Sequence, residues 1–204
     1  MIAEKIKYST AFTAGALLLR ETEALITEIK DLDAFLAGKE EVDFNVIPVN
    51  AESSKKRIKH EIEKRLLAIN DEVLLNKFLS SDKNGKNSIL FYGICKCYPI
   101  IKHFMLEVVL TKWKNLDLEL EVDDYINFIY RKIDFHPELG KITEKSIYKS
   151  GQVALKMMTD LGMLNKNRLQ KVKVNHQILK YITSVGDNWF LDVLLLSENE
   201  KQEI

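Results

Sequence analysis

Few side chains in this sequence have the types and spacing of a catalytic or metal-binding site. Cys95 and Cys97 are two residues apart, so on a helix their thiols point to different faces, and no second Cys or His pair completes a metal site. The sequence contains no nucleophile elbow, no phosphate-binding loop and no H-E-x-x-H zinc motif. Because catalysis needs a convergent set of such groups, we expect no enzymatic activity, no bound metal and no cofactor.

A stripe of basic residues is the strongest chemical pattern. Apolar spacing predicts a helix from Thr143, whose hydroxyl can cap it, to Leu161, after which Gly162 ends it. The face opposite its apolar residues carries Lys145, Lys149, Gln152 and Lys156. Because another helix is predicted over 123–135, the pair is typical of a helix-turn-helix, whose second helix enters the DNA major groove. The alternative is a solvent-exposed lysine stripe on an ordinary bundle helix.

The expected contacts of this helix are of two kinds. The three lysines and the capping Thr143 would bind phosphates, since a helix N-terminus favours negative charge. Ser146 and Gln152 are the side chains expected to reach base edges.

A second basic helix is predicted over 53–69. Its first turns carry Lys55, Lys56, Arg57 and Lys59, which could spread along a phosphate ridge. The alternative is a solvated face on which Glu61 and Glu63 locally neutralise Lys64 and Arg65.

The charges of the chain are segregated although their sum is zero. The sequence has 30 basic and 30 acidic residues. Residues 53–104 hold 11 basic and 5 acidic residues, and residues 141–180 hold 9 and 2, whereas 1–52, 105–140 and 181–204 are net acidic. A polyanion responds to the local field, because salt screens charges beyond about 8 Å. Two basic patches therefore favour a polyanionic partner, unless the blocks cluster by chance or pair with the acidic ones across the fold.

Composition points to a mainly α protein. Only 8 Gly and 3 Pro among 204 residues leave few helix breakers, and we predict a multi-helix globular protein. A further helix is predicted over 13–32. Alternating apolar residues over 116–122 and at Val172 and Val174 predict a minor, short β ribbon.

The sequence predicts a cytoplasmic protein. Its most apolar stretch, 89–110, is interrupted by Lys96, Lys102 and Glu107, which would be costly at bilayer depth. Two cysteines make no disulfide framework, and residues 1–7 have no apolar run typical of a secretory signal. We therefore expect no membrane contact.

Three stretches resemble the BrxA family, small accessory proteins of BREX (bacteriophage exclusion) phage-defence systems. The first, residues 8–18 (YSTAFTAGALL), is similar to the family's Y-x-x-S/A-F-T-x-G-x-L-L opening, with Ala14 and Ala16 where Thr and Gly are expected. The second, from Ser54 to Leu66, is similar to its S-x-K-R-I-x-x-E-I-x-x-R-L helix. The third is the H-P-E-L at 136–139, followed by Thr143, Lys149 and the L-G-M-L at 161–164. The C-terminal 40 residues match only loosely.

The resemblance implies a mostly helical, cytoplasmic protein that binds double-stranded DNA through two helix-turn-helix-like modules and has no catalytic activity. The modules would be an N-terminal one, residues 1–115, with the basic helix 53–69, and a C-terminal winged-helix-like one, residues 116–204. On this basis we expect a monomer whose partners are duplex DNA and other BREX proteins. Two alternatives remain: an adaptor that assembles BREX subunits with little DNA binding of its own, and a helical RNA binder.

Overall fold

The computed structural model describes residues 6–204 and is mainly helical. The helices are α1 (Leu19–Ile26), α2 (Leu32–Leu36), α3 (Glu52–Ile69), α4 (Glu72–Ser80), α5 (Lys83–Cys97), α6 (Pro99–Phe104), α7 (Leu110–Lys114), α8 (Val122–Ile133), α9 (Glu144–Leu161), α10 (His176–Ser184), α11 (Trp189–Val193) and α12 (Glu198–Gln202). A π-helical turn, Met105–Val109, joins α6 to α7, and 3-10 turns form at Ala11–Ala14 and Leu139–Lys141. Two short strands, β1 (Leu164–Asn165) and β2 (Arg168–Leu169), pair antiparallel. The predicted fold class, mainly α with a short ribbon, is confirmed.

Helix α5 lies at the centre of the core, and α3 packs closely along it. Most of α5 is buried, from Gly85 to Cys95. Gly93 permits the close approach, because a Cβ there would lie 2.9 Å from Ile69 Cγ1 and 3.1 Å from the Arg65 carbonyl oxygen. A larger residue at this crossing would push α3 away from the core.

One buried cluster continues through both halves of the chain. It includes residues from Tyr8 to Leu196. Polar contacts also cross position 115: the Tyr181 hydroxyl donates to Asp71 Oδ2 at 2.8 Å, and Asn87 Nδ2 donates to the Asp160 carbonyl at 2.8 Å. The division into modules 1–115 and 116–204 stays a prediction.

The N-terminal region differs from the single helix predicted over 13–32. Residues Ala11–Ala14 form a 3-10 turn, and α1 begins only at Leu19 because Leu18 adopts a left-handed conformation with φ 57°. The first five residues, part of the stretch considered for a secretory signal, lie outside the described part of the chain.

The ribbon lies partly where it was predicted: the segment 116–122 takes part, but its partner is at 164–169 rather than at Val172 and Val174. Val172 and Val174 are not in strands; instead, β1 and β2 make a hairpin, and the segment around Glu119 bridges to Arg168. Two further bonds fix this register, from Leu120 N to the Asn167 carbonyl (2.8 Å) and from Leu169 N to the Leu118 carbonyl (2.7 Å). The tight turn at Lys166 and Asn167 decides the register.

Within residues 6–204, no single helix combines the length and apolar character needed to cross a membrane. The helices Lys83–Cys97 and Pro99–Lys114 meet that requirement only as a pair, and they are bent by 105° relative to each other.

Candidate nucleic-acid interface

Helix α9 presents the predicted basic stripe. The Thr143 hydroxyl accepts a hydrogen bond from the Ser146 backbone N–H at 3.3 Å, and Gly162 ends the helix in a left-handed conformation, so both predicted boundaries are confirmed. Gly151 lets α8 approach α9, because a Cβ there would lie 3.0 Å from Val122 Cγ1 and 3.1 Å from Tyr125 Cδ1. The packing against α8 fixes which face of α9 remains exposed.

The exposed face of α9 contains every candidate residue predicted on that helix. They are Thr143, Lys145, Ser146, Lys149, Gln152 and Lys156. Within residues 6–204, Lys145 and Lys149 have no ion-pair or hydrogen-bond partner for their ammonium groups, whereas Lys156 pairs with Asp160. Tyr148, which sequence reasoning missed, is 48% exposed on the same side. Its position three residues after Lys145 and four before Gln152 was the available signal.

A groove runs between the start of α9 and residues 8–18, which we call the N-terminal segment. Ser9, Thr10 and Thr13 line one side, and Lys145 and Lys149 line the other. Hydroxyl groups facing ammonium groups can together surround a phosphate oxygen. The groove is therefore formed by the motif at residues 8–18 on one side and by the predicted DNA-binding helix on the other.

Tyr8 fixes the N-terminal segment beside this groove. Its backbone N–H donates to Glu138 Oε1 at 3.0 Å, its ring lies 4.1 Å from the His136 ring, and its hydroxyl is hydrogen-bonded to His103 Nδ1. Burial, followed by the charges of Glu107 and Glu138, raises the pKa of Tyr8 to about 12. Burial also lowers the pKa of His103, so the neutral imidazole is favoured.

Arg65 fixes the other end of the segment. It is 3% exposed, pairs with Glu61 at 2.6 Å and donates to the Gly15 carbonyl at 2.8 Å and the Phe12 carbonyl at 3.3 Å. Glu61 also accepts from the Tyr98 hydroxyl at 2.7 Å. The alternative of a solvated face is therefore wrong for Glu61 and Arg65, because the two residues neutralise each other but are buried. They hold the N-terminal segment on α3.

The predicted cations of α3 have partners within the fold. Lys55 Nζ donates to the Asn45 carbonyl at 2.8 Å. Lys56 pairs with Glu52 at 2.7 Å, and Lys59 with Glu63 at 3.4 Å. Arg57 reaches the Ala14 carbonyl at 3.5 Å. The 3-10 turn that Arg57 touches also packs against α9, so the first turns of α3 and α9 flank the same segment.

Sequence reasoning missed the basic tip of the hairpin. Lys166, Asn167 and Arg168 are exposed directly after α9 and β1. The signal was a short polar run, N-K-N-R, between Leu164 and Leu169. Both leucines are buried, which directs the polar residues outward.

The described residues contain no group of three or more His, Cys, Asp or Glu side chains that could hold a metal ion. Cys95 is buried, and burial raises its pKa above that of a free thiol.

Comparison with known proteins agrees with the three motifs. The BrxA family model matches residues 6–186. The chain belongs to the BrxA family. A BREX protein BrxA from Bacillus cereus (strain H3081.97) is 24% identical over 199 residues, covering 96% of this chain and 99% of the relative. A BREX protein BrxA from Escherichia coli O9:H4 (strain HS) is 23% identical over 187 residues, covering 88% and 86%. The resemblance seen in the sequence is confirmed.

A solved structure shares the fold of this BrxA-family chain. It is the crystal structure of an uncharacterized protein from Magnetospirillum magneticum, with a TM-score of 0.73 and 13% identity. The similarity covers 94% of this chain and 100% of that one.

Proposed function

We propose that this BrxA-family protein binds double-stranded DNA, without enzymatic activity of its own, as a component of a BREX phage-defence system. The observation that carries the proposal is the exposed face of α9. It combines two lysines that lack partners within residues 6–204 with two polar side chains, Ser146 and Gln152, able to hydrogen-bond base edges. Family membership supplies the BREX context.

The order of elements around α9 supports the proposal. A strand-like segment at 118–120, α8, α9 and a hairpin follow one another, which is the order of a winged helix. The connector between α8 and α9, residues 134–143, is longer than the three- to four-residue turn of a compact helix-turn-helix. The proposed reader is therefore helix-turn-helix-like, with α9 as the helix that enters the major groove.

Electrostatics would orient the duplex on this face. The start of α8 carries exposed carboxylates, Glu121 and Asp123. In contrast, α9 and the hairpin carry Lys145, Lys149, Lys166 and Arg168, which form no ion pair within residues 6–204. A phosphate backbone would be repelled from the first region and attracted to the second. Affinity would come mainly from counterion release, and six neutralised phosphates would give a slope of log K against log salt near −5.

Fluorescence anisotropy of a labelled duplex across a salt series tests the proposal. We expect a steep negative slope and a preference for duplex DNA over single-stranded RNA. Lys145→Glu/Lys149→Glu should weaken binding about 1,000-fold, since two missing attractions and two new repulsions each cost of the order of 1 kcal/mol. Lys39→Glu/Lys114→Glu is the matched control, because both lysines are exposed and the change in net charge is the same.

Each outcome of this experiment has a definite meaning. Equal affinities for the α9 variant and the control, with both folded, would remove α9 from the DNA interface. Absence of duplex binding by the unmodified chain would overturn the proposal and favour the adaptor, which a nuclease-resistant pull-down of BREX subunits would then support. Stronger binding to RNA than to duplex DNA would favour the RNA binder.

A further inference from the structure

The hairpin that follows α9 has an unusual turn. Its two central residues both have positive φ, 47° at Lys166 and 62° at Asn167. Such turns favour Asn and Gly at both positions, and Asn167 fits this preference. Lys166 does not, because a side chain with Cβ is disfavoured in the left-handed region. A lysine is therefore held at the tip at a conformational cost, and such local cost is commonly found where a residue has a function.

The tip is also held rigidly. Leu164 and Leu169 are buried at its base, and the segment 118–120 bonds to it on one side through Leu120 N and Leu118 O. Gln170 ties the hairpin back to the end of α9, since its side-chain Nε2 donates to the Gly162 carbonyl at 2.9 Å. The position of the tip relative to α9 is thus set by hydrogen bonds rather than by a flexible loop.

The charges at the tip are not used within the described fold. In residues 6–204, neither Lys166 nor Arg168 forms an ion pair or a side-chain hydrogen bond, although Glu119 is the bridge partner of Arg168. Two other lysines of this region have internal partners: Lys156 pairs with Asp160, and Lys171 pairs with Glu200 at 2.8 Å. The tip cations are therefore available to an external anion.

We propose that Lys166 and Arg168 form a second DNA contact, binding the backbone at the minor groove next to the major groove that α9 occupies. The inference rests on the proposed function, because α9 must first place the duplex. Chain order then brings the tip, which follows closely after the end of α9, to the adjacent groove edge. Arginine favours a narrow minor groove, where the negative potential is enhanced, and the Asn167 amide can bond to the acceptors of A·T pairs there.

Salt-dependent anisotropy on Lys166→Ala/Arg168→Ala tests the second contact. Removal of two phosphate contacts should reduce the magnitude of the salt slope by about 1.8 and weaken binding about 30-fold at physiological salt. Lys173→Ala/Lys180→Ala is the matched control: both lysines are exposed and without partners in residues 6–204, and the same charge is removed. This control should leave the slope unchanged.

A second variant separates the contact from the conformation. Lys166→Gly suits a positive φ better than lysine, so it should keep or raise the unfolding midpoint while reducing the slope by about 0.9. Hydroxyl-radical footprinting should show minor-groove protection beside the α9 site, and this protection should be absent with the double variant.

The outcomes distinguish this inference from the proposed function. If the unmodified chain binds duplex and Lys145→Glu/Lys149→Glu weakens binding as expected, but the hairpin variants keep the full slope and footprint, the second contact is wrong and the role of α9 stands. If the unmodified chain does not bind duplex, the proposed function itself is wrong.

Discussion

Helices α3 and α9 have the same length, 18 residues, and both present basic residues from their first turns, yet the fold uses them differently. In α3, the charged groups hold the protein together: Arg65 is buried against Glu61, and Lys55 and Lys59 have internal acceptors. In α9, Lys145 and Lys149 extend from the surface with no partner among the described residues. The number of cations on a helix thus predicts little about binding until their partners are known.

The N-terminal segment, residues 8–18, contacts both helices and so links these two roles. Arg65 holds the carbonyls of Phe12 and Gly15, and the same segment forms one wall of the groove beside Lys149. The α3 motif therefore contributes to the α9 surface indirectly, by fixing its neighbour.

The largest effect is expected from breaking the buried pair. Arg65→Ala leaves the Glu61 carboxylate buried without its partner and removes donors from the carbonyls of the N-terminal segment. Such a change costs about 3–5 kcal/mol, and urea unfolding should show it as a lower midpoint.

Lys56→Ala is the control on the same helix, because the Lys56–Glu52 pair is well exposed. It should change the free energy of unfolding by less than about 0.5 kcal/mol. Arg65→Lys should remain strongly destabilising, since an ammonium group cannot reproduce the planar fork of the guanidinium. A small effect of Arg65→Ala would contradict the structural role of the α3 motif.

Local signals made the boundaries of α9 predictable. Thr143 and Gly162 act on backbone groups within one helical turn, so the sequence alone carries the information. The exposure of Lys145 and Lys149 followed from helical period against the apolar face. These features need no distant partner.

The remaining features depend on contacts that are distant in sequence. A 3-10 turn at Ala11–Ala14 replaces the start of the predicted helix. Arg65, about 50 residues later in the sequence, donates hydrogen bonds to the carbonyls of Phe12 and Gly15 there. The partner of Lys55 is a main-chain carbonyl, that of Asn45, which no charge pattern reveals. The segment 116–122 was predicted correctly as part of the ribbon, since Glu119 bridges to Arg168. Its partner was wrongly predicted at Val172 and Val174, because the register depends on the turn at Lys166.

A smaller effect should sharpen the contrast between the two helices in DNA binding. Lys145→Gln/Lys149→Gln should reduce the magnitude of the salt slope by about 1.8, the value for removing two phosphate contacts. Lys55→Gln/Lys59→Gln removes the same charge but should reduce the magnitude of the salt slope by less than half as much, because these ammonium groups already have internal acceptors. Anisotropy at four or five salt concentrations measures both slopes. Equal reductions would show that α3 exchanges its internal partners for phosphates and contributes as much as α9.

The smallest effect concerns the hydrogen bond that fixes Tyr8 beside the groove. Burial lowers the pKa of His103 in the folded protein, so folding favours the neutral ring. The neutral His103 ring contributes to stability above the pKa of about 6.5 that histidine has in the unfolded chain. This contribution is lost as the pH falls through the lower pKa of His103 in the folded protein. The charged and titratable groups facing the ring are Glu107, Lys132, Lys102 and His136.

Unfolding midpoints at pH 7.5 and pH 5.5 measure this contribution. The unmodified chain should lose more stability over this interval than His103→Gln, which has no titrating ring at this position. Tyr8→Phe is the matched control: it keeps the ring packed on His136 and removes only the hydroxyl, so the decline with falling pH should persist. Identical pH dependence in the unmodified chain and His103→Gln would show that another histidine, and not the one that holds Tyr8, causes the decline.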